Sequence, residues 1–266
     1  MKVALCLIAR LESKYIKEFI EYYKTIGFDK IFLYDNNRHY DSDNITEKVK
    51  NYVDDGFVTL KKWDYDYGNV QKPAYQHCFN ANRNEYDWIA FFDADEYIVL
   101  PTGMAIQEFL SQEKFNDFGG IAIPSVNYDD NDLLVNNSET RLDKYTRPTM
   151  TGCDKTFYKT IVRCKKNNVN FSSFVSDGCH LPYMNNNKIC DINGNIVEWN
   201  HIRCDGKTDY VFLKHIPTGC IDDYVNFKDK RGWPDTFNEK KFGIEFFAEY
   251  NILTQEKVDY YEQHRQ

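Results

Sequence analysis

Within its first hundred residues the chain repeats one pattern four times: a short apolar run that stops abruptly at polar side chains, then an amphipathic stretch. The runs are 3–9, 31–34, 57–60 and 88–92. Apolar runs of this length read as strands covered on both faces, and the stretches between them supply the covering helices. In the first connection Tyr15, Phe19 and Tyr23, with Ile16 and Ile20, share one helical face; Ser13 is placed to cap that helix and Gly27 to end it. Residues 45–54 form a weaker helix, and Pro73 suits the first turn of a third, with Ala74, Cys78 and Ala81 on one face. Strands joined by helices require right-handed crossovers, so the expected fold class is α/β: a mostly parallel, Rossmann-like sheet flanked by helices. Ligands of such sheets bind at the carboxyl ends of the strands, where the polar clusters 35–37 and 93–96 fall.

Beyond residue 100 the pattern loosens. Strands are expected at 98–100, 120–123, 156–164 and 196–201, and helices at 104–111 and 205–215. The stretch 127–154 is rich in Asn, Asp and Thr and reads as a long loop with a binding role. Near the end, Phe242, Phe246 and Tyr250 recur at helical spacing with Lys228, Lys230, Arg231, Lys240 and Lys241 nearby. That region either packs on the core as a solvated helix or makes a peripheral contact with a membrane. No repeat or linker divides the chain, so 1–266 is expected to be one domain.

Composition excludes some functions. With 33 Lys+Arg against 41 Asp+Glu the net charge is −8, which argues against a nucleic-acid binder that neutralises many phosphates. The run at 3–9 is far short of the ~20 residues that cross a bilayer, and Arg10 and Glu12 interrupt it with no small-residue cleavage site behind them. Neither a transmembrane segment nor a signal peptide is expected. The eight cysteines form no Cys-x-x-Cys pair and no zinc spacing, so they are expected to be free, mostly buried thiols of a reducing, cytoplasmic compartment.

The chemistry concentrates at Asp93-Ala94-Asp95. Carboxylates one residue apart at the end of an apolar strand point the same way if extended, and both can approach one hard cation, Mn2+ or Mg2+. An ion held there keeps positions open for the oxygens of a diphosphate. Asp35, Asn36 and Asn37, at the end of the second strand, either recognise a base or ribose or form an Asx-type turn. If 196–201 is a strand, His201 shares a face with Val197 and Trp199 at its end; His180 is the competing histidine. Lys159 and Arg163, four apart on a strand, share a face and could neutralise diphosphate.

Together, Ala9-Arg10-Leu11-Glu12, Glu18-Phe19-Ile20-Glu21-Tyr22-Tyr23, Gly27-Phe28-Asp29, Tyr34-Asp35-Asn36-Asn37 and Trp88 through Tyr97 resemble the glycosyltransferase family 2 and family 92-like group of GT-A fold enzymes. The likeness continues more weakly through Lys159-Thr160-Ile161-Val162-Arg163, His180-Leu181-Pro182 and Asn200-His201-Ile202-Arg203. Arg10-Leu11-Glu12 departs from the group's Lys-Asn-Glu at its middle position. The resemblance implies a nucleotide-sugar-binding half over 1–100 and an acceptor-side half over 101–266. It implies a UDP-hexose donor, with galactose or glucose as the sugar, and a glycan or lipid-linked acceptor. The reaction would invert the sugar in surface polysaccharide synthesis, at the inner face of the membrane. Donor contacts would come from Arg10, Glu12, Asp35, Asn36, Asn37, Gln71, Tyr75, Asp93, Lys159 and Arg163, and the metal from Asp93, Asp95 and His201. Asp177 is the general-base candidate, with Asp154 and Glu198 as alternatives. Two rivals remain. Phe92-Asp93-Ala94-Asp95 also fits a haloacid-dehalogenase nucleophile loop, although that loop follows a first strand and here three precede it. A non-catalytic sugar or nucleotide module would keep the pocket but has little need of the paired aspartates.

Overall fold

The four apolar runs become adjacent parallel strands, β1 (Val3–Ala9), β2 (Lys30–Asp35), β3 (Val58–Lys62) and β4 (Trp88–Phe91), in the spatial order β3-β2-β1-β4. The structure is a computed structural model and describes residues 1–65, 70–151, 156–165, 168–172, 177–185, 187–204, 210–232 and 241–265. Helices α1 (Ile16–Thr25), α2 (Ile45–Asp54) and α3 (Gln71–Asn82) join these strands. The chain leaves β1 toward β2 on one side and returns to β4 on the other, so the topological switch point lies between the carboxyl ends of β1 and β4.

Helix α1 buries Ile16, Phe19, Ile20 and Tyr23, the face its periodicity predicts. It starts later than Ser13, with Tyr15 at the cap position, because the Ser13 amide and hydroxyl both donate to Asp43. Gly27 ends the turn beyond α1 at φ +99°, a conformation that favours glycine.

Only the Phe92–Asp95 turn separates β4 from β5 (Glu96–Val99). A parallel crossover needs a dozen or more residues, so β5 cannot lie parallel beside β4. After α4 (Ile106–Leu110) come β6 (Gly120–Asn127), β7 (Tyr158–Arg163), β8 (Asn168–Asn170), β9 (Tyr183–Asn185), β10 (Ile189–Cys190), β11 (Ile196–Val197) and β12 (Phe212–His215). Strand β7 inserts antiparallel between β4 and β6, while β12 runs parallel to β6 and antiparallel to β5. The α/β class implied by the GT-A resemblance is observed, with the parallel pairing concentrated in β1 to β4.

Three expectations change in this half. Residues 212–215 are strand where a helix over 205–215 was expected, and 205–209 lie outside the described residues. The strand expected over 196–201 stops at Val197. The stretch 127–151 is packed rather than loose: Asp129, Asp130, Asn136, Arg141 and Tyr145 are buried, and Glu18 accepts the Arg141 and Leu142 amides at 2.8 and 3.1 Å.

One core cluster runs from Val3 to Cys220 and a second covers the other face of the sheet. The tail forms α5 (Ile221–Asp223), continuing as a π-helical turn over Tyr224–Asp229, then α6 (Ile244–Tyr250) and α7 (Gln255–His264). Its aromatics pack on one another, Phe242 on Phe246 at 4.4 Å and Phe246 on Tyr250 at 5.3 Å, around buried Tyr224, Phe247 and Tyr261. Among the described residues seven cysteines are free thiols, all but Cys204 buried; Cys153 lies outside them. No described helix is long and apolar enough to cross a membrane.

Helix α1 is tied to β5 by the buried Tyr23 hydroxyl, which donates to the Glu96 carbonyl at 2.8 Å and accepts the Ile98 amide at 3.1 Å. Tyr23→Phe keeps the ring and strands both backbone groups, so it should cost about 1–3 kcal/mol in urea denaturation. A midpoint equal to wild type would show that this tie contributes nothing.

Candidate functional site

A cleft with a cavity volume of about 130 Å³ opens at the switch point. Ile8, Ala9 and Arg10 reach it from the end of β1 and Asn36 from the end of β2. Asp93, Ala94 and Asp95 form the wall beyond β4. The opposite side comes from far along the chain: His215 ends β12, Lys228 projects from the π-helical turn and Arg231 follows it.

Asp93 and Asp95 are each held by a lysine. Asp93 Oδ2 accepts from Lys159 Nζ at 2.6 Å, and Oδ1 from Gln71 Nε2 at 2.5 Å and the Tyr75 hydroxyl at 3.1 Å. Asp95 Oδ2 accepts from Lys228 Nζ at 2.8 Å, while Oδ1 lies 3.8 Å from His215 Nε2. The Asp93 side chain is 35% exposed and faces the cleft, whereas that of Asp95 is 8% exposed.

Burial acts to raise the Asp95 carboxyl, but Lys228, with His215, outweighs it and holds that group well below the usual carboxylate range. Burial likewise opposes a charged Asp93, and Lys159 brings it below its ordinary value. Glu96, buried beside both, is pushed up to about 8 by desolvation, with Lys159 countering in part. Its Oε2 accepts the Asp93 amide at 2.9 Å.

His215 is placed by β12, whose register sets it opposite Glu96 and beside Asn127. Its Nδ1 lies 2.8 Å from Asn127 Oδ1, and its Nε2 faces Asp95 Oδ1 at 3.8 Å. Burial pushes this imidazole down to about 4, so it is neutral at neutral pH. Carboxylate oxygens plus one imidazole nitrogen suit Mn2+ or Mg2+. The donor set fits a divalent ion, although among the described residues no three His, Cys, Asp or Glu side chains are closed into a metal-holding group.

The Asp35–Asn37 cluster supports the cleft from beneath. Asp35 Oδ1 accepts the Asn37 amide at 2.9 Å in an Asx-type turn, and Asp35 does not line the cleft. Asn36 lines it while donating to the Trp63 and Tyr65 carbonyls at 2.7 and 3.0 Å. Asn37 Oδ1 accepts the amide of Leu11, which sits at φ +57°, and so pins the Arg10-Leu11-Glu12 loop. Glu12 receives Arg231 at 3.0 Å and Arg141 at 3.2 Å, and Arg10 pairs with Asp41 at 2.7 Å.

Several expected site residues lie elsewhere. His201 is exposed and outside the cleft lining, because β11 ends at Val197 and the chain turns back, with the His201 amide donating to the Glu198 carbonyl at 2.8 Å. Arg163 shares a strand face with Lys159, but four residues along a strand is ~13 Å. It faces the other end of β4, donating to the Phe118 and Phe115 carbonyls at 3.1 and 2.9 Å and stacking on Trp88. Asp177 is 41% exposed beside Lys72 at 3.7 Å, outside the cleft lining, and Glu198 is exposed. Asp154 lies outside the described residues. His180 stacks on Phe157 and has Nδ1 3.0 Å from the Tyr158 carbonyl, also outside the lining. Sequence reasoning missed His215, Lys228, Arg231 and Arg141. For His215 a signal was present: Tyr210-Val211-Phe212-Leu213, with Pro217 soon after, is a strand-type run.

The model of glycosyltransferase family 92 matches residues 2–202. A glycosyltransferase family 92 protein of Ricinus communis is 28% identical over 112 residues, 42% of this chain and 20% of that protein. One from Oryza sativa subsp. japonica is 28% identical over 108 residues, 41% of this chain and 18% of that protein. The chain therefore matches about a fifth of the length of these relatives. Among solved structures, a mannosyltransferase from Pyrobaculum calidifontis, in complex with GDP-Man and Mn2+, is similar over 46% of this chain and 35% of that one, with 13% identity and a TM-score of 0.35.

The raised Glu96 carboxyl gives a pH signature. Between ~4.3, its ordinary value, and about 8 the folded protein keeps a proton that the unfolded chain releases. The group's contribution to stability is therefore full below that window and falls as pH rises through it. Glu96→Gln mimics the protonated form, so the melting temperature of the variant minus that of wild type should increase from pH 5 to pH 8. A pH-independent difference would refute a buried, protonated Glu96.

Proposed function

Since the chain belongs to glycosyltransferase family 92, we propose that it transfers a hexose from a nucleotide-diphosphate sugar to a glycan or lipid-linked acceptor with the help of a divalent cation. The observation that carries this reading is the Asp93–Asp95 pair at the carboxyl end of β4, facing His215 and a cleft rich in fixed cations. Arg10, Arg38, Lys228 and Arg231 line that cleft against Glu12, Asp93 and Asp95, a balance suited to a diphosphate even though the whole chain carries −8.

In this reading Asp93, Asp95 and His215 hold Mn2+ or Mg2+, which when bound supplies Lewis-acid stabilisation of the departing diphosphate. Gln71 and Tyr75 fix the Asp93 carboxylate through its Oδ1, and Lys159 fixes it through Oδ2. Lys228 and Arg231 offer positive charge to the leaving group, whose charge grows as the glycosidic bond breaks. The Asn36 side of the cleft receives the nucleoside. UDP as the nucleotide, galactose or glucose as the sugar, inversion at the anomeric carbon and a role in surface polysaccharide synthesis on the cytoplasmic face of a membrane follow from the family resemblance.

A screen of nucleotide sugars by release of nucleotide diphosphate should find turnover that depends on Mn2+ or Mg2+ and is abolished by chelator. Asp95→Asn should lower kcat/KM by about a hundredfold or more, the scale of several kcal/mol of charge stabilisation. His215→Ala should impair turnover and His201→Ala should not. Wild-type turnover by Asp95→Asn, or full activity in chelator, would overturn the metal assignment. Hydrolysis of simple phosphate esters would favour the phosphatase reading instead.

A further inference from the structure

The residue on Asp95 is a lysine from the tail, and its surroundings differ from those of the other cleft cations. Lys228 Nζ sits 2.8 Å from Asp95 Oδ2, on the carboxylate whose other oxygen faces His215. Its side chain is 17% exposed and lines both the cleft and the smaller chamber behind it. Arg231 is fixed by Glu12 at 3.0 Å and by the Arg10 carbonyl at 3.2 Å, and Lys159 is buried between Asp93 and Glu96. Among the described residues the Lys228 ammonium hydrogen-bonds only to Asp95. It projects from a π-helical turn, a distortion often found at functional sites.

The charges explain what this pairing does. Asp93 is compensated by Lys159, Asp95 by Lys228, and Glu12 by two guanidinium groups. Among the described residues, a bare divalent cation entering the cleft meets no uncompensated carboxylate. An incoming diphosphate, in contrast, offers Lys228 a second anion within the same cleft, and a compact ammonium on a four-carbon stem can turn from one anion to the other.

We infer that Lys228 is a tethered counter-cation that holds Asp95 in the ligand-free protein and passes to the diphosphate when a nucleotide binds, leaving Asp95 open to a divalent ion. The inference rests on the reading of Asp93 and Asp95 as the metal site. It makes the two ligands mutually dependent through a protein side chain, in addition to any contact between ion and diphosphate.

The test measures binding alone. Free Mn2+ is followed by electron paramagnetic resonance during titration of wild type, Lys228→Met and Lys228→Arg, each with and without UDP, and UDP binding without metal by calorimetry. Wild type and Lys228→Arg should take up Mn2+ weakly unless UDP is present. Lys228→Met should bind Mn2+ alone at least tenfold more tightly than wild type, and bind UDP alone several-fold less tightly. Lys228→Gln repeats the comparison should methionine impair folding, which a thermal melt reports. If wild type takes up Mn2+ with UDP but the neutral variants gain no affinity for Mn2+ alone, the lysine inference fails and the metal site stands. If no form takes up Mn2+ with or without UDP, the metal site fails and the inference with it.

Discussion

Three carboxylates within four residues, buried Asp95 and Glu96 and half-buried Asp93, set the terms for the rest of the cleft. Asp95 is 6% exposed and Glu96 3%. Buried charge is tolerated only when paired or neutralised. Glu96 is kept protonated by desolvation, and the two aspartates draw a lysine each from elements that are remote in sequence. Strand β7 inserts antiparallel beside β4 and delivers Lys159; the tail folds back across the cleft and delivers Lys228. Removing Lys228 leaves Asp95 an uncompensated buried charge, at a cost of about 3–5 kcal/mol. The same pairs therefore stabilise the fold and tune the site.

A second constraint links the amino-terminal loop to the tail. Leu11 occupies the left-handed region at φ +57°, which is unfavourable for a non-glycine residue, and Asn37 compensates by accepting its amide at 2.8 Å. Held in this way, the loop presents Glu12 to Arg231 and Arg141 at once. The leucine that departs from the family pattern at this position is buried, and its backbone rather than its side chain shapes the cleft. Glu12 in turn fixes Arg231 on the wall opposite Asp93.

The architecture of the first hundred residues is legible because it is local: each strand is one apolar run and each helix one amphipathic face, and both signals lie within a single element. The carboxyl ends of those strands pointed directly to Asp93, Asp95 and Asn36. The second half resists the same reasoning because its strands are defined by partners. Strands β10 and β11 contain two residues each, too few for any period to show, and β12 is a strand because it fits between β5 and β6. That placement separates His215 from His201: alternation over 196–201 favours His201 only if the strand continues past Val197, and it does not. Lys228 and Arg231 posed the same difficulty. By composition they belong to a basic, aromatic tail suited to a membrane surface; in the fold, the aromatics of that tail pack among themselves and these two cations face the cleft.

This distribution of charge separates the behaviour of the site from that of the chain. A net charge of −8, taken alone, suggests a site that repels a diphosphate. The lining shows the reverse, because the acidic excess lies elsewhere while the cleft gathers four basic side chains against three acidic ones. At ionic strengths near 0.15 M the Debye length is about 8 Å, so distant surface acids are largely screened from a ligand in the cleft. Pairs at 2.6–3.2 Å, partly shielded from water, are screened far less. Recognition of an anionic donor is therefore governed by which of these short pairs can exchange partners. Among the described residues the Lys228 ammonium holds to Asp95 alone, whereas Arg231 is fixed by both Glu12 and the Arg10 carbonyl.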